Sequence, residues 1–299
     1  MLARDALWST TYKPALLKAL VRLVARGAGR TISLADVGEQ FVALYWTQTV
    51  VFHLRQAAVI SKEPEVVRAI RTAADAAATR RLDGLSPAIR TNLVRGMQRI
   101  LKINVLRAFH RSKPAHMPEL FMWRDGMEHI ELSETAHAFI AANALALETV
   151  ANYWWAGYLE KVNTLAPYII EKVRRDGARR GSLAPYLRIL AALDSAQCFY
   201  CGRPFGENAG IHVDHVLPWS FLLQDPLWDL VMACSRCNLA KSDSLPDLRF
   251  IDKLIATNAA RAKAQLPLKR ASPLLDAPQI HQYYDAARAV EWPGPWSPG

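Results

Sequence analysis

Residues 198–243, CFYCGRPFGENAGIHVDHVLPWSFLLQDPLWDLVMACSRCNLAKSD, contain all four cysteines of the 299-residue chain. They come as two Cys-x-x-Cys pairs, Cys198 with Cys201 and Cys234 with Cys237, thirty-two residues apart. Two close pairs at such a separation are a metal-ligand pattern, and four thiolates in a tetrahedron select zinc. A closed four-thiolate site leaves no position for water, so this zinc is expected to be structural. Between the pairs, IHVDHVLP reads as a strand ending in a proline-terminated bend, LWDLVMA as a second strand, and SRCNLAKSD as a helix. Pinning these three together brings Asp214-His215, at the end of the first strand, close to Asn238 at the start of the helix.

That juxtaposition has its own chemistry. Asp214 offers carboxylate oxygen and Asn238 amide oxygen, ligands that suit a hard divalent cation such as Mg²⁺ or Mn²⁺. His215 sits beside them without needing to bind the cation. A neutral imidazole has a pKa near working pH and can take a proton from an attacking water. A cation there would stabilise charge on the phosphoryl oxygen and the leaving oxygen. The set reads as a one-metal phosphodiester hydrolase. His212 shares the strand face of Asp214 and is expected near substrate phosphate or metal. Arg236 and Lys241, on the final helix, are expected to contact phosphates, with Arg203 in the first cysteine loop as a further basic residue.

Through CFYC, HVDHVLPWS and DLVMACSRCNLAKSD, the segment resembles the HNH endonucleases of the ββα-metal type, over about fifty of the 299 residues. The resemblance implies metal-dependent cleavage of double-stranded DNA, with His215 as general base and Asp214 and Asn238 as metal ligands. It also implies a setting in bacterial antiphage defence or restriction, as for other such domains fused to a large helical partner. One position departs. The family carries an asparagine at the start of the second strand, holding the catalytic loop and orienting the histidine; this chain has Asp229. An aspartate accepts hydrogen bonds but does not donate them when ionised, and it adds a negative charge. The alternative reading is a non-catalytic or partner-gated zinc-containing nucleic-acid-binding subunit of a larger effector complex.

Outward from this stretch the chain reads as mainly α: a large helical N-terminal region (1–183), the zinc-stapled ββα-metal domain (184–250), and a C-terminal helix with a Pro-rich tail (251–299). Helices are expected from Pro14, from Ser33 with its capping partner Asp36, from Pro64, from Ser86-Pro87 to about Arg111, and from Ser133 to about Asn163. Asp125-Gly126 reads as a hairpin turn. Arg95, Arg99, Lys102, Arg107 and Arg111 form a basic face suited to a phosphate backbone. Arg174, Arg175, Arg179 and Arg180 form a basic loop just before the cysteine stretch, also expected to bind nucleic acid. The tail, with Pro267, Pro273, Pro278, Pro293, Pro295 and Pro298, is expected to be partly extended and disordered at its end.

Bulk composition agrees with a polyanionic partner, the formal charge being +10, and half the residues are apolar as in ordinary globular proteins. The N-terminus lacks a continuous apolar run, and the most apolar stretch, 139–159, is interrupted by Asn143, Glu148 and Asn152. A cytoplasmic protein without a membrane span is expected, with DNA as partner and a second copy or a defence-system protein as protein partners. No phosphate-binding glycine loop is present.

Overall fold

The structure, a computed structural model, describes residues 11–59, 63–107, 120–175, 181–206, 210–263 and 277–299. These fall into two units. One takes in the described residues up to Thr164 and the helix Ile169–Arg174; the other takes in Leu165–Tyr168 and everything described from Gly181 on.

The first unit is helical. It contains α1 (Tyr12–Ala25), α2 (Leu34–Trp46), α3 (Glu65–Ala77), α4 (Pro87–Ile100), α5 (Glu134–Ala142), α6 (Ala144–Val162) and α7 (Ile169–Arg174). The expected caps form. Ser33 Oγ accepts from the Asp36 N–H at 3.0 Å, Ser86 from Ile89 at 3.3 Å, and Ser133 from Ala136 at 3.1 Å. The helix expected from Ser133 is broken at Asn143, whose side-chain amide donates to the Phe139 carbonyl at 2.9 Å, competing with the helical ladder. Asp125-Gly126 does turn a hairpin: β2 (Phe121–Met122) pairs antiparallel with β3 (His129–Leu132). A third strand that local pattern did not show, β1 (Thr31–Ser33), completes the sheet in the order β1-β3-β2.

On the basic face expected along a phosphate backbone, most of the cations pair with acidic neighbours at the surface. Arg99 pairs with Glu65 at 2.6 Å, Arg107 with Asp125 at 3.0 Å and Lys102 with Glu128, while Arg95 donates to Asn92; Arg111 lies outside the described residues. These cations already have partners. Trp155 is buried, its indole N–H donating to Gln56 at 3.1 Å, as packing rather than base stacking requires. Among the described residues no helix is long and apolar enough to cross a membrane.

The second unit is built on one antiparallel pair. β4 (Ile211–His215) and β5 (Leu230–Cys234) run in register from Ile211 opposite Cys234 to His215 opposite Leu230. Around them lie α8 (Ala184–Leu193), α9 (Trp219–Leu222), α10 (Ser235–Lys241), α11 (Leu248–Lys263) and α12 (Ala277–Ala289). Alternation on β5 divides its side chains between two cores. Leu230 and Met232 join Leu183, Leu190 and Leu227, whereas Val231 and Ala233 join Phe250, Leu254, Ile280, Tyr284 and Trp292. The strands are therefore covered on both faces, and the cysteine stretch has an apolar core supplied from outside itself. Fully burying one large apolar side chain contributes about 1.5–3 kcal/mol, so this core stabilises the strand pair substantially.

Arg261 stitches the unit together. It is 1% exposed, pairs with Asp194 at the end of α8 at 2.5 Å, and donates to the carbonyls of Leu227 and Leu230. The tail is more ordered than its prolines suggest. After α12, Trp292 is buried and the extended segment pairs with the chain before α11, Leu245 N–H to Pro293 O at 2.7 Å and Trp296 N–H to Leu245 O at 2.8 Å. Gly294 is needed there: a Cβ would stand 2.6 Å from the Leu245 carbonyl.

Candidate metal centre and adjoining acid–imidazole cluster

Cys198 and Cys201 flank a tight turn in which Gly202, at φ 70°, donates to the Cys198 carbonyl, and Phe199 N–H ties the turn to Met232 O on β5. Cys234 ends β5 and caps α10, whose first turn carries Cys237, so the second pair sits at i and i+3 on one side of a helix start. All four sulfurs lie within 4.8 Å of one another, with Cys201 Sγ 3.9 Å from Cys234 Sγ. A tetrahedral zinc with Zn–S near 2.3 Å sets its sulfurs about 3.8 Å apart, so the cage has the dimensions of a zinc site. Burial pushes the Cys198 and Cys237 thiols up; against burial, the Arg203 N–H and the neighbouring thiols bring Cys201 down to about 7. Four thiolates so close require a divalent cation to hold their charge.

Next to the cage, the inner face of α10 packs on β4. His212 and Asp214, two apart on the strand, meet Asn238 and Lys241, three apart on the helix. Asn238 Nδ2 lies 2.9 Å from His212 Nδ1. Lys241 Nζ lies 3.4 Å from Asp214 Oδ2 and donates to the His215 carbonyl at 2.6 Å. The Tyr200 hydroxyl donates to the same Asp214 oxygen at 2.7 Å, linking the first cysteine turn to the row. Burial, then the charge of Asp214, raises the Tyr200 pKa well above its ordinary value, so the hydroxyl remains a donor. Asp214 and Lys241 are 4% and 1% exposed.

His215 projects to the opposite face of β4. Its Nε2 lies 2.9 Å from Asp225 Oδ1, and the ring is 2% exposed. A carboxylate only accepts, so towards Asp225 the ring donates from Nε2. The chain after His215 is fastened by Asp229, which accepts from Val216 N–H through its carbonyl at 2.9 Å and from Leu217 N–H through Oδ1 at 2.8 Å. Asp229 is fully buried, and its Oδ2 has no hydrogen-bond partner. Burial holds its carboxyl well above the ordinary carboxylate range, with the charges of Asp214 and Asp225 adding to the effect. The Leu217 N–H and the charge of Lys241 act in the opposite direction, towards the ionised form.

Residues 198–244 match the family model described as HNH endonuclease. This stretch is an HNH module. No curated protein and no solved structure matched the chain in the corresponding comparisons.

The HNH module places the residues singled out in the sequence unequally. The four cysteines converge, and among the described residues they alone form a group of three or more Cys, His, Asp or Glu that could hold a metal. His212, Asp214, Asn238 and Lys241 form the row; His215 and Asp229 lie at the strand ends beside it. Lys241, expected at a phosphate, is instead buried against Asp214, because its ammonium supplies the charge that a buried carboxylate needs. Arg236 is exposed and donates to Gly299 O at 2.9 Å. Arg174 pairs with Glu171 at 3.1 Å, and Arg174 and Arg175 belong to the first unit; Arg179 and Arg180 lie outside the described residues. Two partners were missed. Tyr200 stands in CFYC itself, where its place between the cysteines was the signal, whereas Asp225 lies in a polar bend ten residues from His215 with no local mark.

Proposed function

We propose that the chain is a metal-dependent HNH endonuclease that hydrolyses phosphodiester bonds of DNA, in the setting of antiphage defence or restriction. His215 is the general base and Asp214 and Asn238 hold a divalent cation, Mg²⁺ or Mn²⁺, in addition to the structural zinc of the cysteine cage. The observation that carries this reading is the 2.9 Å contact of His215 Nε2 with Asp225, one residue from the buried carboxylate of Asp214. In this reading Asp225 orients the ring and stabilises the imidazolium formed when His215 takes the proton of an attacking water.

The Lys241 ammonium 3.4 Å from Asp214 Oδ2 supports this reading to the extent that the carboxylate already takes a positive charge there. A divalent ion bound here would stabilise the charge on the phosphoryl and leaving oxygens. Asn238, with its amide nitrogen at His212, directs its oxygen elsewhere, and His212 thereby orients a ligand. Asp229 fixes the turn that follows His215 by accepting from the Leu217 N–H. The test is plasmid cleavage with Mg²⁺ or Mn²⁺. His215→Ala is expected to lower the rate about 10²–10⁴-fold with the zinc content unchanged. Cleavage at the wild-type rate by that variant excludes His215 as the base, and no cutting by the wild-type chain with either ion favours a non-catalytic or partner-gated module.

A further inference from the structure

Two cavities open over the zinc cage. One, of about 520 Å³, is lined by Tyr200, Arg203, Arg249, Phe250 and Lys253; the other, of about 310 Å³, by Arg203, Phe205, Gly210, Ser235 and Arg236. Cys201, Arg203, Pro298 and Gly299 line both, so the two form one continuous trough. No acidic side chain lines either part. Arg203, Arg236, Arg249 and Lys253 are all exposed along it. Lys253 donates to the Phe199 carbonyl, Arg236 to the α-carboxylate of Gly299 at 2.9 Å, and Arg249 stands 3.9 Å from Asp247. The trough ends at Gly210 and Ser235, where β4 and α10 begin, the two elements that carry His212, Asp214 and Asn238.

We propose that this trough is a phosphate-backbone track: Lys253, Arg249, Arg203 and Arg236 hold successive phosphates of a nucleic-acid strand and deliver it to the β4–α10 row. The assignment deepens the nuclease reading and rests on it for the class of ligand. Guanidinium groups suit phosphates because their fork of donors matches two oxygens at once, and a line of them along a groove without acidic side chains fits a polymer of regularly spaced charges. A rival role exists for the same residues. Zinc on four thiolates carries a formal charge of −2, and the arginines would also balance it.

The experiment separates these. Binding of a labelled DNA duplex to the full, zinc-loaded chain is measured against salt concentration in the His215→Ala background, so that no strand is cut. Lys253→Ala with Arg203→Ala is expected to lower the slope of log K against log salt by about 1.8, close to 0.9 per lost phosphate contact. Arg249→Glu, further from the cysteines, guards against a variant that fails to fold and is expected to lower the slope too. Arg288→Ala on α12 is expected to leave it unchanged. Zinc content is determined for each variant. An unchanged slope in variants that retain zinc overturns the track. So does lost zinc without lost slope, which would make the arginines counter-ions of the cage. Equal affinity for poly-glutamate with the same slope overturns the nucleic-acid assignment in favour of an acidic polypeptide. A wild-type chain that binds through these residues yet never cuts leaves the track standing and removes the nuclease reading.

Discussion

The four thiols face one another, Cys201 Sγ 3.9 Å from Cys234 Sγ, whereas in the neighbouring row every polar group faces a protein partner of opposite character: Asp214 the Lys241 ammonium, Asn238 the ring of His212. Both clusters are set by the same β5–α10 junction. The cage is assembled for a cation and is electrostatically incomplete in its thiolate form; the row carries a cation in its own sequence. A metal in the cage has no competitor, while a metal at Asp214 must share or displace Lys241. Structural and catalytic roles are thus distinguished by what the protein puts opposite the ligands as much as by sulfur against oxygen.

Removing a ligand from the cage should have the largest effect. Cys201→Ser is expected to abolish stoichiometric zinc binding and to destabilise the second unit by about 4 kcal/mol or more, read by metal analysis and thermal unfolding. Retention of zinc and stability would mean that the apolar core, rather than the cage, holds the β4–β5 pair. Lys241→Met comes next. It leaves Asp214 buried beside Tyr200 without its counter-charge, and a loss of about 3 kcal/mol is expected. Mn²⁺ should restore more stability to this variant than to wild type. If it does not, the idea that Lys241 and a divalent ion compete for one carboxylate is wrong.

Smaller effects test the other strand face. Asp225→Ala should lower kcat for cleavage by between about 10- and 100-fold with little change in KM, and Asp225→Glu should recover part of it, since the ring is positioned rather than substrate bound. A raised KM with kcat unchanged would instead make Asp225 a substrate contact. Asp229→Asn should have the smallest effect and the opposite sign. The raised pKa of Asp229 means that its contribution to stability is complete below the ordinary carboxylate value of 3.8 and is lost as pH climbs through the higher folded value. Wild type should therefore fall behind the asparagine variant as pH rises above the ordinary carboxylate range, which paired thermal melts across pH read. A difference constant with pH would show that Asp229 does not titrate in the folded chain.

How much was legible follows from how local each signal is. The Cys-x-x-Cys pairs, the capping serines and the Asp125-Gly126 turn are written in a few adjacent residues, and the structure has all of them. Asp225 at His215, Arg261 at Asp194 and Tyr200 at Asp214 depend on chain segments that only tertiary folding brings together, and no spacing rule announces them. Lys241 shows the limit most clearly. A lysine near a proposed active site reads as a phosphate contact until its burial is seen, and burial is a property of the neighbours. Asp229 was visible as a departure, but its burial, and the raised carboxyl pKa that burial causes, were not.

Trp292 and α12 have a consequence in time. The core under β5 is completed by Ile280, Tyr284 and Trp292, 43 to 55 positions beyond the last cysteine. A ribosome making this chain therefore releases the cysteines, His215 and Asn238 well before the residues that bury the strands behind them. The helical first unit has by then been made in full. The HNH module is the last part to become solid, so a chain interrupted during synthesis before residue 280 carries the candidate site side chains without the core that positions them.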